Sequence, residues 1–167
     1  MKRRRHNLGF TLLELVLVLV IIAACAAVAA PALRGFTHAR RLPNTAQDLI
    51  VATRFCREQA IADGLSYRLY LDPQGGKWVI MKDDGTGTNT FTQVNSQIVP
   101  AEYDLPEGIV MDTSMLPRQP ENARYINFDS GGHTEITTIS LKSDESEVDL
   151  TCDAPLSSYH VVTAGGR

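Results

Sequence analysis

The sequence lacks the motifs around which common active sites are built. It contains no Gly-x-Ser-x-Gly, no phosphate-binding P-loop and no Cys-x-x-Cys. The acidic segment 83–89 lacks the ligand spacing of a calcium-binding loop. Four histidines are scattered without the spacing of metal ligands: His6, His38, His133 and His160. These absences argue against an enzyme, and we expect no catalytic residues, no metal site and no cofactor.

Positive charge is scarce outside the first five residues. Four of the 16 Lys and Arg residues lie at positions 2–5, which leaves 12 against 19 Asp and Glu in the rest of the chain. The net charge is −3 for the whole chain and −7 without that basic start. An acidic body disfavours a protein that binds phosphate backbones, so we expect no nucleic-acid partner.

Charge is almost absent from a long apolar segment near the N-terminus. Between Leu8 and Leu33 the only charged residue is Glu14. A helix over residues 10–33 would measure about 36 Å at about 1.5 Å per residue, enough to cross a hydrocarbon core of about 30 Å. The basic flank predicts a cytoplasmic N-terminus. A carboxylate in such a helix costs about 2.5–3.5 kcal/mol on insertion scales, so Glu14 indicates a function.

Three processing schemes fit a segment of this kind. A secretory signal peptide could be cut within "AAVAAPA", and a lipoprotein signal could end at Cys25, because "IIAAC" is similar to a lipobox. Neither scheme explains Glu14, and the chain stays apolar beyond Cys25 as far as Leu33. The third scheme, in which the chain is cut before Phe10, accounts both for Glu14 and for the length of the apolar run.

The stretch "GFTLLELVLVLVII", after its basic leader, resembles the N-terminus of type IV prepilins. The resemblance implies that Gly9 ends the leader and that a prepilin peptidase cuts before Phe10 and methylates its amine. Glu14 is then the fifth mature residue. Pro31 takes the position at which pilin-like helices commonly carry a proline, and it is expected to kink the helix.

The same resemblance suggests a role for Glu14 in assembly. Cleavage frees the amine of Phe10, whose reference pKa of about 7.7–8 keeps it chargeable. That amine can pair with the Glu14 carboxylate of a neighbouring subunit and so fix the axial register. The alternative is a pair within one subunit, because residues four apart lie on one face of a helix.

Residues 34–64 are predicted to continue the helix. Pro43 predicts a local restart, capped by Asn44 or Thr45, and Gly64 is a natural C-terminal stop. Arg57 is expected on a face away from the apolar stripe. That stripe, at spacings of four, three and four, comprises Leu49, Thr53, Cys56 and Ala60.

The period changes to that of β-strands from Ser66 onward. "YRLYLD" and "KWVIMK" flank the turn "PQGG" and predict one hairpin. "ARYINFD" and "TEITTISLK" flank "SGGH" and predict a second. Further short strands are predicted at "QIVP", "GIVMD", "EVDLTC" and "YHVVTA". A helix followed by antiparallel strands is an α+β fold.

The segment from "CREQAIADG" through the first hairpin to "INFDSGGHTEITTISL" resembles the H-type minor pseudopilins of type II secretion. The related minor pilins of type IV pili share the pattern. The resemblance implies a pilin-like fold, in which the helix packs on antiparallel sheets. It divides the chain into a cytoplasmic leader (1–9), a transmembrane and assembly helix (10–33), the periplasmic half of the helix (34–64) and a periplasmic β-rich domain (65–167).

The implied function is that of a structural subunit at or near the tip of the secretion pseudopilus. The chain would cross the bacterial inner membrane once, and it would support the export of folded proteins across the outer membrane. Its partners would be other pseudopilins, the prepilin peptidase, the secretion assembly platform and the secreted proteins. The alternatives are a minor pilin for pilus assembly, adhesion or DNA uptake, and a periplasmic lipoprotein anchored at Cys25.

The other two cysteines, Cys56 and Cys152, both follow the apolar segment. If that part of the chain is exported, a disulfide between them is possible. Two exported cysteines need not lie close together in a fold, so the sequence leaves free thiols open as well.

Overall fold

The structure of the protein, a computed structural model, describes residues 12–117 and 123–162, with the backbone alone for residues 28–39. It divides into two compact units, residues 1–39 and 40–167. A helix followed by antiparallel strands confirms the α+β class. The elements are α1 (Leu12–Asp63), β1 (Tyr67–Asp72), β2 (Lys77–Asp83), β3 (Phe91–Gln93), β4 (Glu102–Asp104), β5 (Val110–Asp112), β6 (Tyr125–Phe128), β7 (Thr138–Lys142), β8 (Glu147–Thr151) and β9 (His160–Val162).

Helix α1 ends where the sequence predicts and does not restart at Pro43. Gly64 adopts a φ of +67°, and its N–H donates to the carbonyl of Ala60 at 3.0 Å. The predicted restart is wrong, because α1 continues through Pro43. The hydroxyl of Thr45 donates to the carbonyl of Arg41 at 2.9 Å, a bond inside the helix rather than an N-terminal cap.

The core of the second unit forms around the predicted apolar stripe of α1. All four stripe residues are buried, so that prediction is confirmed. Alternate residues of β1 and β2 join the same cluster, as a half-buried sheet requires. The stripe and its strand partners are Leu49, Thr53, Cys56, Ala60, Tyr67, Leu69, Leu71, Trp78 and Ile80.

The first sheet has the strand order β3-β2-β1-β6, and β4 also pairs with β2. The first predicted hairpin is confirmed, with β1 and β2 antiparallel and Leu69 opposite Ile80. At its turn the carboxylate of Asp72 accepts hydrogen bonds from the N–H groups of Gln74 at 3.1 Å and Gly75 at 2.8 Å. The three-residue strands β3 and β4 are not in the sequence prediction.

The second predicted hairpin is wrong. Strand β6 pairs with β1 in the first sheet, whereas β7 pairs with β5 and β8 in a second sheet of order β5-β7-β8-β9. The turn itself forms, since the N–H of Asp129 donates to the carbonyl of His133 at 3.0 Å. The chain then leaves the first sheet. The N–H of Thr134 donates to the carbonyl of Pro155 and not to β6. The strand predicted at "QIVP" is absent from the described residues, which have bends there.

Candidate assembly surface

The described N-terminal part of α1 exposes apolar side chains in every direction. Every side chain over residues 12–27 is exposed, and the large apolar ones range from 43% at Val18 to 81% at Leu12. A helix that is apolar all round belongs inside a membrane or among other helices. We call residues 12–27 the assembly segment.

Glu14 carries the single acidic side chain of the assembly segment, near the described start of α1, and it is exposed. Apolar residues precede and follow it along the helix, so any environment that covers the segment also surrounds this carboxylate with apolar groups. Gly9 and Phe10 lie outside the described residues. The cleavage site, the N-methylation and the pairing of Phe10 with Glu14 therefore stay predictions.

Three other predictions for the N-terminal unit concern Pro31, Cys25 and the transmembrane span. The backbone of α1 is helical at Pro31, and the kink predicted there stays a prediction. Cys25 is an exposed free thiol of the assembly segment. Among the residues available for the search, no helix combines the length and apolar character needed to cross a membrane. The transmembrane span predicted for residues 10–33 also stays a prediction.

Cys56 and Cys152 are fully buried and both are free thiols, so the structure does not contain the disulfide left possible by the sequence. Each thiol has its own surroundings. Burial raises the pKa of Cys56 well above its ordinary value. The sulfur of Cys152 lies 3.1 Å from the carbonyl oxygen of Ala154 and 3.3 Å from that of Ser157, so its single S–H can donate to either carbonyl of the loop after β8.

A polar network ties the C-terminal end of α1 to the first sheet. One carboxylate oxygen of Asp63 accepts from the hydroxyl of Tyr67 at 2.7 Å and from the ammonium of Lys82 at 2.6 Å. The hydrogen bond from Lys82 is the largest cause of the lowered pKa of Asp63, and that from Tyr67 is the next. Burial, followed by the bond to Asp63, raises the pKa of Tyr67.

An open cavity of about 520 Å³ lies beside this network. Its lining is mostly neutral and polar, with amide groups from both α1 and the segment after β3. Within the residues that the structure describes, no three His, Cys, Asp or Glu side chains are grouped as metal ligands. Among the residues that line the cavity are Phe55, Gln59, Asp63, Gln93, Asn95 and Gln97.

The acidic loop after β2 uses its carboxylates to bind its own backbone. Asp83 accepts from the N–H of Gly85 at 2.8 Å, and Asp84 accepts from the N–H of Thr86 at 2.9 Å. Asn89 adopts a φ of +56° near the end of the loop. Asp83 and Asp84 therefore stabilise the turns of their own loop.

Arg57 has a role that the helical pattern missed. Its Nε donates to the carbonyl of Gly132 at 3.0 Å, and its guanidinium lies 5.8 Å from the centre of the Phe128 ring. A Cβ at position 132 would lie 2.7 Å from Cδ1 of Ile61, so the backbone there approaches α1 closely. The paired glycines 131 and 132 are the sequence signal that could have indicated this contact.

Comparison with known proteins identifies the family of the chain. The family described as type II transport protein GspH matches residues 45–164, well over half of the chain. The chain belongs to this family. A prokaryotic N-terminal methylation motif also matches residues 4–30, the segment that resembles a prepilin N-terminus.

A curated relative agrees with the family over part of its length. Type II secretion system protein H of Xanthomonas campestris pv. campestris is 39% identical to this chain over 75 residues. The match covers 45% of this chain and 44% of that protein, so it spans less than half the length of the relative.

Three solved structures share the fold of this chain at low sequence identity. The minor pseudopilin EpsH of Vibrio cholerae has a TM-score of 0.61 and 15% identity, over 75% of this chain and 99% of that one. GspH of Escherichia coli has 0.58 and 14%, over 77% and 89%. The type IV minor pilin FimU of Pseudomonas aeruginosa has 0.55 and 10%, over 78% and 95%. The predicted pilin-like fold is therefore confirmed.

Proposed function

We propose that the chain is a minor pseudopilin of a type II secretion system, a structural subunit at or near the tip of the pseudopilus. The observation that carries the proposal is family membership over residues 45–164, joined to a methylation motif over residues 4–30. The exposed apolar assembly segment with its one carboxylate supports a role in a helical filament.

The prepilin peptidase cuts after Gly9 and methylates the new N-terminus at Phe10. Residues 10–33 then cross the bacterial inner membrane, with the β-rich domain in the periplasm, until the subunit enters the filament. In the filament the apolar segment packs among the helices of other pseudopilins. The assembly platform and the secreted proteins are the further partners.

Glu14 pairs with the amine of Phe10 on a neighbouring subunit during this transfer. Removing one partner of a buried ion pair costs about 3–5 kcal/mol, because the other charge is left without compensation. A subunit added in the wrong axial register would meet that cost. The carboxylate therefore selects the correct register, whereas the apolar side chains around it supply contact area without specifying position.

A type IV minor pilin is the second candidate, because FimU shares the fold with a TM-score of 0.55. Fold alone does not distinguish the two machines, and the family match favours secretion. The lipoprotein alternative is less well supported, since the methylation motif spans residues 4–30, and lipidation at Cys25 would remove residues 1–24 and with them most of that motif.

Two measurements test the proposal. The mass of the N-terminal peptide from membrane-bound protein should equal that of a chain beginning at N-methylated Phe10; a lipid on Cys25 or a start near Pro31 would contradict it. Deletion of the gene in its own host should then abolish release of secreted proteins into the medium while surface pili remain. Loss of pili with normal secretion would favour the pilin.

A further inference from the structure

Positive charge is concentrated directly after the apolar N-terminal segment. Residues 34–47 contain three arginines, at positions 34, 40 and 41, and no Asp or Glu. Residues 48–167 contain nine Lys or Arg and 18 Asp or Glu, a net charge of −9. The chain beyond the apolar segment therefore begins with a basic stretch and is acidic as a whole after it.

The proposed topology does not explain these arginines. Basic residues beside a membrane-spanning helix collect on the cytoplasmic side, where they set its orientation. The four Lys and Arg at positions 2–5 already supply that cytoplasmic flank. Residues 34–47 lie on the opposite side in the proposed topology, so their positive charge requires another reason.

Two of the three arginines lie at the start of the second unit, on helix α1. Arg40 is exposed and Arg41 is half-buried. Nη1 of Arg41 lies 3.5 Å from the carbonyl oxygen of Glu107, in the segment after β4. Among the residues that the structure describes, no carboxylate lies within ion-pair distance of Arg41. A guanidinium has five N–H donors, so Arg41 keeps donors for a ligand.

Both arginines can reach the polar surface of a membrane that contains residues 10–33. Seven residues separate Leu33 from Arg40, about 10 Å of helix at about 1.5 Å per residue. The polar layer on each side of the hydrocarbon core is about 5–8 Å thick. Side chains on a helix lean toward its N-terminus, which is the membrane side here, and the long arginine stem extends that reach.

The chemistry of the two side chains specifies an anionic phosphate. A guanidinium matches phosphate oxygens with parallel hydrogen bonds and keeps its charge at any ordinary pH. An anionic phospholipid surface attracts each nearby arginine by about fivefold in affinity. The same surface repels the acidic remainder of the unit. The charge distribution therefore favours contact with such a surface at Arg40 and Arg41.

We propose that Arg40 and Arg41 bind the phosphate groups of anionic phospholipids on the periplasmic surface of the inner membrane. The inference rests on the proposed function, because it requires residues 10–33 in the membrane. Before the subunit enters a filament, the contact holds the start of the second unit at the membrane surface. The net acidic residues 48–167 are directed toward the periplasm.

Native mass spectrometry of the full mature chain in detergent tests the site, with phosphatidylglycerol and phosphatidylcholine added in equal amounts. The wild type should retain phosphatidylglycerol in preference. The double variant Arg40→Gln/Arg41→Gln should lower the ratio of retained phosphatidylglycerol to phosphatidylcholine by about 5- to 25-fold. Arg54→Gln is the matched control, since Arg54 is an exposed arginine farther along α1, and it should leave the ratio unchanged.

Equal retention of the two lipids by the wild type would overturn the proposal, and this arm needs no variant. An unchanged ratio in a double variant that keeps the wild-type Tm would also overturn it. Inorganic phosphate replaces the lipids in a further arm. Phosphate adducts that require both arginines, without a preference for phosphatidylglycerol, would assign the pair to a free anion instead.

Two further outcomes separate this proposal from others. If the double variant keeps the lipid ratio but is lost from sheared filaments, the arginines bind an acidic surface of another subunit, and the lipid site is refuted. The mass of the chain in the same spectra tests the proposed function separately. Equal lipid retention by a chain that begins at N-methylated Phe10 contradicts the lipid site alone. A lipid on Cys25 or a start near Pro31 contradicts the proposed function.

Discussion

The side chain of Ile61 lies so close to Gly132 that a Cβ at position 132 would be 2.7 Å from Cδ1 of Ile61. Gly132 also has a φ of +78°, which side chains with a Cβ rarely adopt. The tip of the turn after β6 therefore reaches α1 because residue 132 has no side chain. This contact places the carbonyl of Gly132 where Arg57 donates to it.

Gly132→Ala should destabilise the globular domain by about 1–3 kcal/mol from backbone strain, with a further loss from the contact with Ile61. Thermal unfolding of the full chain in detergent measures the change. Gly76→Ala is the matched control, because its φ is +64° and a Cβ there would meet nothing within 4 Å. Equal losses in the two variants would show that the approach to Ile61 contributes nothing.

Glu14→Ala should leave the protein cleaved and membrane-bound but exclude it from filaments. The carboxylate is the one charge in the assembly segment that can specify register, and its removal leaves the apolar contacts unchanged. Immunoblots of sheared filaments and of the membrane fraction give the two readouts. Glu58→Ala is the control, since Glu58 is an exposed carboxylate on the same helix within the globular unit. Normal incorporation of the Glu14 variant would refute the proposed role.

Asp63 should make part of the stability of the domain sensitive to acid. Its pKa in the folded state is lowered from an ordinary value of 3.8, chiefly by the hydrogen bond from Lys82. The stabilisation is therefore present above about pH 3.8 and is lost as the pH falls through the lower folded value. Between pH 5 and pH 2, the Tm of the wild type should fall by more than the Tm of Asp63→Asn.

The pH series needs a control because other carboxylates also titrate in this range. Asp144→Asn removes an exposed carboxylate in the turn between β7 and β8, with no hydrogen bond to Lys82 or Tyr67. Its Tm should follow the wild-type curve. Parallel curves for wild type and Asp63→Asn would contradict the assignment of acid sensitivity to Asp63.

All three cysteines should be available to an alkylating reagent once the chain is unfolded without reductant. The structure has Cys25, Cys56 and Cys152 as free thiols. Mass spectrometry after alkylation in denaturant should count three adducts. A single adduct, with two more after reduction, would establish the disulfide that the sequence leaves possible. Alkylation before unfolding should spare Cys56 and Cys152, because both are fully buried.

Features set by neighbouring residues could be predicted from the sequence. Gly64 stops α1 because its conformation is available to glycine alone at low cost, and "PQGG" specifies its hairpin through local turn geometry. The stripe through Leu49 and Cys56 is also local, since it follows from helical spacing. Each of these signals lies within a few residues of the structure that it determines.

Features set by distant contacts could not be predicted in the same way. Pro43 removes one hydrogen bond from α1, but Leu42 and Ala46 on either side are buried, and their packing outweighs the local signal. Strand β6 pairs with β1 rather than with β7. The partner of a strand depends on which sheet has a free edge in the folded domain, and the sequence around the strand does not specify this. No periodicity in the sequence states that Arg57 meets a turn 75 residues further on.

The stacking of Trp78 on Tyr103 makes intrinsic tryptophan fluorescence a probe of the folded domain. The two rings lie 4.1 Å apart and are nearly parallel at 7°, and Tyr103 also donates to Asp48 of α1. The chain contains one tryptophan, and that residue is 1% exposed. Its emission therefore reports a single place, where β2, β4 and α1 meet. A red shift signals the separation of these three elements, without any added label.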